Sequence, residues 1–285
     1  MGLLLGLTTA LAYGIADFLA RFSTRKVGVG GSLLGALLAG SGVLTLWLLV
    51  TGHPWAPLLP ALPWLVLSGV LSYAMLGLLY AALQRGPISI ASPVVAVHPA
   101  LVVLLLFAAG SRPSLREWIG LFVTTAGGLA LASQIDPVGA AQGLPRGYAR
   151  ITGALAGACA LTLSFQILCV QHSATLVGPV AAAWGSRTFA FLAALLASPL
   201  ARGVRLGTAS AWGITALQGL LDVAAVLALA AGSDGAARTI VPVVGSAFSA
   251  VTVVLARFIL NETMTSRQWG AIGIVLAGVV VLGSG

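Results

Sequence analysis

The chain has 285 residues, of which 59% are apolar and only 7% are charged, and its mean hydropathy is +1.07. Because about a quarter of the residues of an ordinary soluble protein are charged, this composition excludes that class and predicts an integral protein of the lipid bilayer. The formal net charge of +8 comes from Lys and Arg residues scattered singly between apolar segments. This pattern lacks the clustered basic face of a nucleic-acid-binding protein, so no nucleic-acid partner is expected.

Charges, prolines and glycine clusters divide the apolar sequence into ten predicted membrane-spanning helices. In chain order they cover residues 3–22, 31–51, 61–84, 89–109, 115–133, 149–171, 177–199, 209–231, 237–258 and 266–283. Lipid cannot satisfy free backbone hydrogen-bonding groups, and long unbroken apolar segments are typical of helices. The predicted fold class is therefore all-α and transmembrane.

A polar segment, residues 134–148, separates the first five predicted helices from the last five. It contains Asp, Pro and Gly residues typical of turns. It is predicted to link a first repeat, residues 1–133, to a second repeat, residues 149–285.

Short motifs recur in the same order in the two predicted repeats. Residues 8–12 recur at 152–156 with four of five positions matching, residues 93–95 recur at 242–244, and Gly120 and Gly128 recur at Gly270 and Gly278. Five crossings per repeat bring the second repeat into the membrane from the opposite side, so the repeats are predicted to be inverted. Inverted repeats are typical of secondary transporters.

The layout and the end of the chain resemble a known family. Residues 260–265 read Leu-Asn-Glu-Thr-Met-Thr, followed by Gln268, Gly270 and Leu-Ala-Gly-Val at 276–279. With the five-plus-five layout, they resemble the drug/metabolite transporter superfamily of the EamA-domain type over the whole chain. The resemblance implies transport of small metabolites, amino acids or drugs without ATP. The first repeat departs from the pattern, because residues 110–114 contain no acid in place of Glu262.

Ionisable side chains inside predicted helices are the first candidates for function, because a charge at the bilayer centre costs at least about 2.5–3.5 kcal/mol. Asp222 lies near the middle of the eighth helix, one turn after Gln218 on the same face. A carboxylate in this position is suited to proton coupling or to recognition of a cation. The alternative is a structural ion pair with Arg187.

Asp17 and Arg187 are the other charged candidates. Asp17 shares a stripe of the first helix with Tyr13 and Arg21; it either lines the pathway or is neutralised by Arg21, four residues later. Arg187 lies near the centre of the seventh helix, on the same side as Trp184. The resemblance favours a structural clamp for Arg187, and recognition of a substrate carboxylate is the alternative.

The fourth helix contains the sequence His98-Pro99 at mid-membrane, six residues after Pro93. Proline kinks a helix and frees carbonyl groups, which a transport pathway can use. His98 is then either a residue that binds substrate or a packing residue with its hydrogen bonds satisfied.

Two polar stripes are further candidates for lining a cavity. They consist of Tyr73, Gly77, Tyr80 and Gln84 on the third helix, and of Cys159, Thr162 and Gln166 on the sixth. The alternative role for both stripes is to hold neighbouring helices together in lipid.

We expect a secondary transporter of the bacterial inner membrane, monomeric or homodimeric, which exports a small-molecule substrate by alternating access with coupling to protons. The expected substrate or coupling residues are Asp222, Asp17, His98, Tyr80, Gln166, Gln218, Tyr13 and Trp184, and the expected ion-pair residues are Arg187 and Arg21. The alternatives are an uncoupled facilitator or channel for small polar solutes and an uptake carrier for sugars or amines. Neither an enzyme motif nor a phosphate-binding loop is present, so no catalysis, metal or cofactor is expected.

Overall fold

A computed structural model describes residues 1–53, 58–85, 88–108, 110, 112, 114–132, 147–197, 207–233, 237–261 and 264–283. Regular structure in this part of the chain is helical: α1 (Gly2–Val50), α2 (Leu58–Arg85), α3 (Ile88–Val95), α4 (His98–Ala108), α5 (Leu115–Ala132), α6 (Tyr148–Val177), α7 (Pro179–Ala197), α8 (Ala209–Ala231), α9 (Ala237–Gly245), α10 (Phe248–Ile259) and α11 (Ser266–Gly283). Residues 134–146 of the predicted linker, and Glu262, lie outside the described residues.

Seven segments of the described chain are long and apolar enough to cross a membrane, and α11 and part of α5 are shorter apolar helices. The protein is therefore an integral, multi-pass membrane protein. The helical segments differ from the ten predicted helices at three places. The first two predicted helices run together as α1, and the fourth and ninth are each broken in two.

The long helix α1 consists of two arms that meet at Gly28. Gly28 has φ 80° and ψ 167°, a conformation with positive φ that favours glycine. The hydroxyl oxygens of Ser23 and Ser32 lie 2.7 Å apart, although residues nine apart on a straight helix are separated by about 13.5 Å. The chain therefore folds back at Gly28, and the arms, residues 2–27 and 29–50, lie side by side there.

A turn of the same conformation joins α6 to α7. Gly178 has φ 82° and ψ 161°, and it lies 150 positions after Gly28 in the sequence. The two arms of α1 thus correspond to α6 and α7.

Two breaks interrupt the predicted fourth and ninth helices, between α3 and α4 at residues 96–97 and between α9 and α10 at residues 246–247. Pro93 and Pro242 lie just before the breaks. At both breaks, backbone N–H groups bond to the carbonyl three residues earlier, which tightens the chain into a turn. What the prolines predict as a kink is thus a two-residue turn that interrupts each helix.

Close contacts between helices recur in exchanged form in the two halves. A Cβ atom placed on Gly35 of α1 would lie 2.7 Å from the Thr215 side chain of α8, and one placed on Gly185 of α7 would lie 2.7 Å from the Leu65 side chain of α2. A shift of 150 positions turns Gly35 into Gly185 and Leu65 into Thr215. In each half, a glycine at the corresponding position thus packs against the corresponding helix of the other half.

The contact between α5 and α11 shows the same exchange. A Cβ atom on Gly127 would lie 2.7 Å from the Val275 backbone nitrogen, and one on Gly278 would lie 2.5 Å from the Thr124 backbone nitrogen. A shift of 151 positions relates these two contacts. Exchanged pairs of contacts are expected when two similar halves are related by an approximate twofold axis.

The largest hydrophobic cluster of the described residues draws on α1–α3 and α6–α10, whereas α5 and α11 contribute no residue to it. Helix α1 packs against α8, and α2 packs against α6 and α7. The broken helices follow the same exchange, since α9 and α10 pack on α1 while α3 and α4 pack on α6. This arrangement brings α1, α2, α3, α6, α8 and α10 around one common space.

Candidate functional site

A small cavity lies among α1, α2, α3, α6, α8 and α10. Its polar and aromatic lining consists of Tyr13 and Asp17 of α1, Tyr80 of α2, Asp222 of α8 and Phe248 of α10, and aliphatic side chains complete it. The space open to the centre of a water molecule is about 20 Å³, enough for about one water. Among the described residues, no group of three His, Cys, Asp or Glu side chains converges as a metal site would require.

Asp222 is held in an ion pair at the edge of this cavity. Arg187 of α7 donates from Nη2 to Asp222 Oδ1 at 3.0 Å, and its Nε lies 2.6 Å from Oδ2. Nη1 of the same guanidinium donates to Ser72 Oγ of α2. All three side chains are buried, so removing one charge of the pair would leave the other desolvated and unpaired.

Ser72 is a site residue that the sequence reasoning missed. It lies 150 positions before Asp222, the interval that relates Gly35 to Gly185. Arg187 therefore bonds to corresponding positions of the two halves, whereas its own counterpart, Leu37, is a buried apolar residue. The repeated motifs are offset by 144, 149 and 150 positions, and only the last of these leads from Asp222 to Ser72, so the sequence alone did not single out this serine.

Asp17 lines the same cavity without a partner. Its side chain is 6% exposed, and within the described part of the chain no hydrogen bond or ion pair reaches its carboxylate. Arg21, the partner considered from the sequence, instead donates from Nη1 to the Leu83 carbonyl oxygen at 3.2 Å. That carbonyl lies in the last turn of α2, where helical carbonyls lack a helical donor. Asp17 is therefore left as a buried carboxylate that faces open space.

Gln218 stabilises the turn in α1 and is not among the residues that line the cavity. Its Oε1 accepts hydrogen bonds from Ser23 Oγ at 2.6 Å and from Ser32 Oγ at 3.3 Å. Since these serines lie on opposite sides of Gly28, one amide of α8 holds both arms of α1. Gln218 was expected to act beside Asp222 on substrate or protons. In the structure, its side-chain oxygen bonds to the two serines of the α1 turn.

Two other predicted candidates also join helices outside the cavity lining. Gln166 of α6 donates from Nε2 to Ser186 Oγ of α7 at 3.3 Å. Trp184 of α7 donates from Nε1 to Thr45 Oγ1 of α1 at 2.9 Å. Both side chains therefore contribute to helix packing in this conformation.

The face of α2 that lines the cavity is rotated from the predicted polar stripe. Besides Tyr80, it carries Met75, Leu76 and Leu79. Gln84, the last residue of the stripe, instead donates to the Thr24 carbonyl oxygen at 3.0 Å. Polarity could not mark this face, because most of its side chains are apolar.

The remaining stripe residues serve packing. Tyr73 is partly buried against the hydrophobic core, and Gly77 faces Leu33 of α1. On α6, Cys159 is buried in the core, and Thr162 bonds to the Ala158 carbonyl oxygen of its own helix at 2.8 Å.

His98 completes the break between α3 and α4. Pro99 has no N–H group, so the Val95 carbonyl loses its helical donor. His98 Nδ1 lies 3.2 Å from Val95 O, and because a carbonyl only accepts, we assign the proton of this contact to Nδ1. The imidazole also stacks on Phe248, with ring centroids 6.2 Å apart. His98 thus lies behind Phe248, which lines the cavity.

The second break has an equivalent side-chain bond. Ser246 Oγ donates to the Val243 carbonyl oxygen at 2.7 Å. In both breaks a side chain therefore satisfies the carbonyl three residues earlier, although one side chain is an imidazole and the other a hydroxyl. Val95 and Phe248, which flank the two breaks, both line the cavity.

Comparison with known families gives a match of residues 1–133 to the EamA-like transporter family. Over these residues the chain is similar to that family. This confirms the resemblance to the drug/metabolite transporter superfamily. The match lies in the first repeat, whereas the motif that indicated the family lies in the second.

Solved structures share the fold of this chain. One crystal structure of a protein superposes with a TM-score of 0.72 and 20% sequence identity, covering 99% of this chain and 96% of the other. A search of curated protein sequences gave no significant match. The structural likeness extends over both halves and shows a common fold.

Proposed function

We propose that this protein is a secondary transporter of small metabolites or drugs in the inner membrane of a bacterium, and that it works by alternating access. The family supports a general role in transport. The observation that carries the more specific proposal is the buried cavity between the halves, where Asp17 has no partner among the described residues while Asp222 is ion-paired with Arg187.

Ten membrane crossings in two inverted five-helix halves are part of the proposal. The two arms of α1, the pair α3 and α4, and the pair α9 and α10 account for four crossings, and the six other helices account for one each. The repeated glycine turn and the exchanged contacts between halves support this count. An odd number of crossings per half gives the two halves opposite orientations.

Alternating access then proceeds by relative movement of helices around the cavity. The cavity has room for about one water molecule, so a larger substrate enters only when the surrounding helices separate. Val95 and Phe248 connect the cavity directly to the two helix breaks. We propose that these breaks are the hinges, because a broken helix can bend without losing further backbone hydrogen bonds.

We propose Asp17 as the residue that couples transport to protons. The sequence favoured Asp222 for this role. Because Arg187 holds Asp222 in an ion pair, we assign the role to Asp17 instead. The titratable or charged side chains within electrostatic range of Asp17 are Tyr13, Tyr80, Asp222 and Cys159, with Arg187 acting on the same cluster. Asp17 is the carboxylate of this cluster that is free to exchange a proton with a substrate.

Flux measurements in proteoliposomes test this proposal. The full-length protein is reconstituted and supplied with labelled amino acids, amines, sugars or nucleobases under an imposed proton gradient. We expect uptake or efflux of one class to follow the gradient, and to lose this dependence in Asp17→Asn. Asp136→Asn, the same chemical change in the predicted linker, serves as the control and should behave like the wild type. Flux that ignores the gradient in every variant would favour the uncoupled facilitator.

A further inference from the structure

We propose that the cavity binds a small monovalent organic cation through a primary ammonium group, with Asp17 as the counter-ion. The inference rests on the proposed transport function and names the substrate class of the same cavity. Charge balance, the aromatic lining and the hydrogen bonds of a primary ammonium each support it.

The charges around the cavity leave one negative site. Arg187 and Asp222 neutralise each other through two close contacts. Asp17 is the remaining carboxylate of the described lining, and it is buried without a partner. A ligand with one positive charge would complete this site, whereas an anion would meet an unpaired buried carboxylate.

The aromatic lining fits the same ligand class. Tyr13, Tyr80 and Phe248 all line the cavity, and the Tyr13 and Phe248 rings meet edge to face with centroids 6.3 Å apart. Aromatic rings attract ammonium groups, and more strongly where water is excluded. A sugar would need several amide or carboxylate partners, but apart from Asp17 and the ion-paired Asp222 the other lining residues are apolar.

Hydrogen bonding selects the head group. A primary ammonium donates hydrogen bonds to the Asp17 carboxylate, which a quaternary nitrogen cannot do. Met75, Leu76 and Leu79 of α2 provide an apolar wall for a short alkyl chain.

Thermal unfolding of the purified full-length protein in detergent tests the inference. The seven tryptophans supply a fluorescence signal. The probes are n-butylammonium chloride, tetramethylammonium chloride, potassium chloride and sodium butyrate at equal ionic strength, with butan-1-ol as the neutral analogue. We expect a saturable rise in Tm with n-butylammonium alone, because a ligand that binds the folded state stabilises it by mass action.

Substitutions at Asp17 locate the binding site. Asp17→Asn should weaken the apparent affinity for n-butylammonium by about 10- to 100-fold, the factor expected for loss of a hydrogen bond between charged partners. Asp17→Glu, which keeps the carboxylate, should retain part of the affinity, and Asp136→Asn should match the wild type. Size-exclusion profiles identify any misfolded variant, and Asp17→Ser replaces Asn if needed. Equal Tm shifts with butyrate or tetramethylammonium, or an unchanged affinity in Asp17→Asn, would overturn the inference.

Flux in proteoliposomes separates this inference from the proposed function. If n-butylammonium binds at Asp17 but is not transported, the cation site stands and the transport proposal for this cavity fails. If a neutral or anionic solute is transported while n-butylammonium does not bind, the transport function stands and the cation site is refuted.

Discussion

Asp17 and Asp222 bring the same chemical group to the same buried cavity, but their surroundings differ. Asp222 shares a guanidinium with Ser72, and Asp17 has no partner among the described residues. Through Arg187, Asp222 of α8 is connected to α7 and to Ser72 of α2. Residue type and depth in the membrane suggest both residues as candidates, and from their different partners we propose a structural role for Asp222 and a role in binding a ligand or a proton for Asp17.

The largest expected effect is the loss of stability in Asp222→Asn. Arg187 would remain buried without a counter-charge, and breaking a buried ion pair from one side costs about 3–5 kcal/mol of unfolding free energy. Denaturant unfolding in detergent, followed by tryptophan fluorescence, measures the loss. The double variant Arg187→Met with Asp222→Leu should recover most of it, because apolar replacement of both partners is often neutral. A single variant as stable as the wild type would show that the pair is not structural.

A smaller loss of unfolding free energy, relative to the wild type, is expected when the carboxylate is moved from α8 to the corresponding position of α2. In the double variant Ser72→Asp with Asp222→Ser, the guanidinium of Arg187 keeps one carboxylate and one hydroxyl, now exchanged. We expect at least half of the stability lost in Asp222→Ser to return. If the exchange restores nothing, the two positions are not equivalent about the axis between the halves.

Ser72→Ala alone is expected to cost about 1–3 kcal/mol of unfolding free energy, since it removes a hydrogen bond to a buried charge. Ser68→Ala is the matched control, one turn away on α2 and equally buried. The Ser68 hydroxyl bonds only within its own helix, to the Leu65 carbonyl oxygen at 2.9 Å. Equal losses in both variants would argue against a specific bond to Arg187.

The smallest effect on stability is expected for Asp17→Asn, a change of less than about 1 kcal/mol. The substitution keeps the shape of the side chain and removes no bond to a described residue, so none of the usual causes of large destabilisation applies. The same variant should lose proton-dependent flux in proteoliposomes. A large loss of unfolding free energy would mean that Asp17, like Asp222, has a structural role.

The sequence predicted the features that depend on local chemistry. Apolar length marked the helices, and Pro93 and Pro242 marked the positions of the two breaks, because each acts within one turn of its own helix. Buried charges were recognisable for the same reason, since a single Asp or Arg in an apolar segment is costly wherever its partner lies.

Features that depend on packing could not be read in this way. The sequence offered Arg21 as a partner for Asp17, but the Leu83 carbonyl competes for that guanidinium across the helix contact. The rotation of α2 is set by its packing against α6 and α7, so Tyr80 lines the cavity while Gln84 bonds to α1. Helix rotation and choice of partner therefore required the structure.

The one-sided clamp of Arg187 has a consequence for the symmetry of the chain. In a dimer of two identical five-helix proteins, any residue at position 187 would also occupy position 37, so a second guanidinium would lie where Leu37 now packs. A single buried arginine, with serine on one side and aspartate on the other, therefore requires two halves that differ in sequence. The asymmetric charge pattern at this site is one that a symmetric dimer of identical halves could not hold.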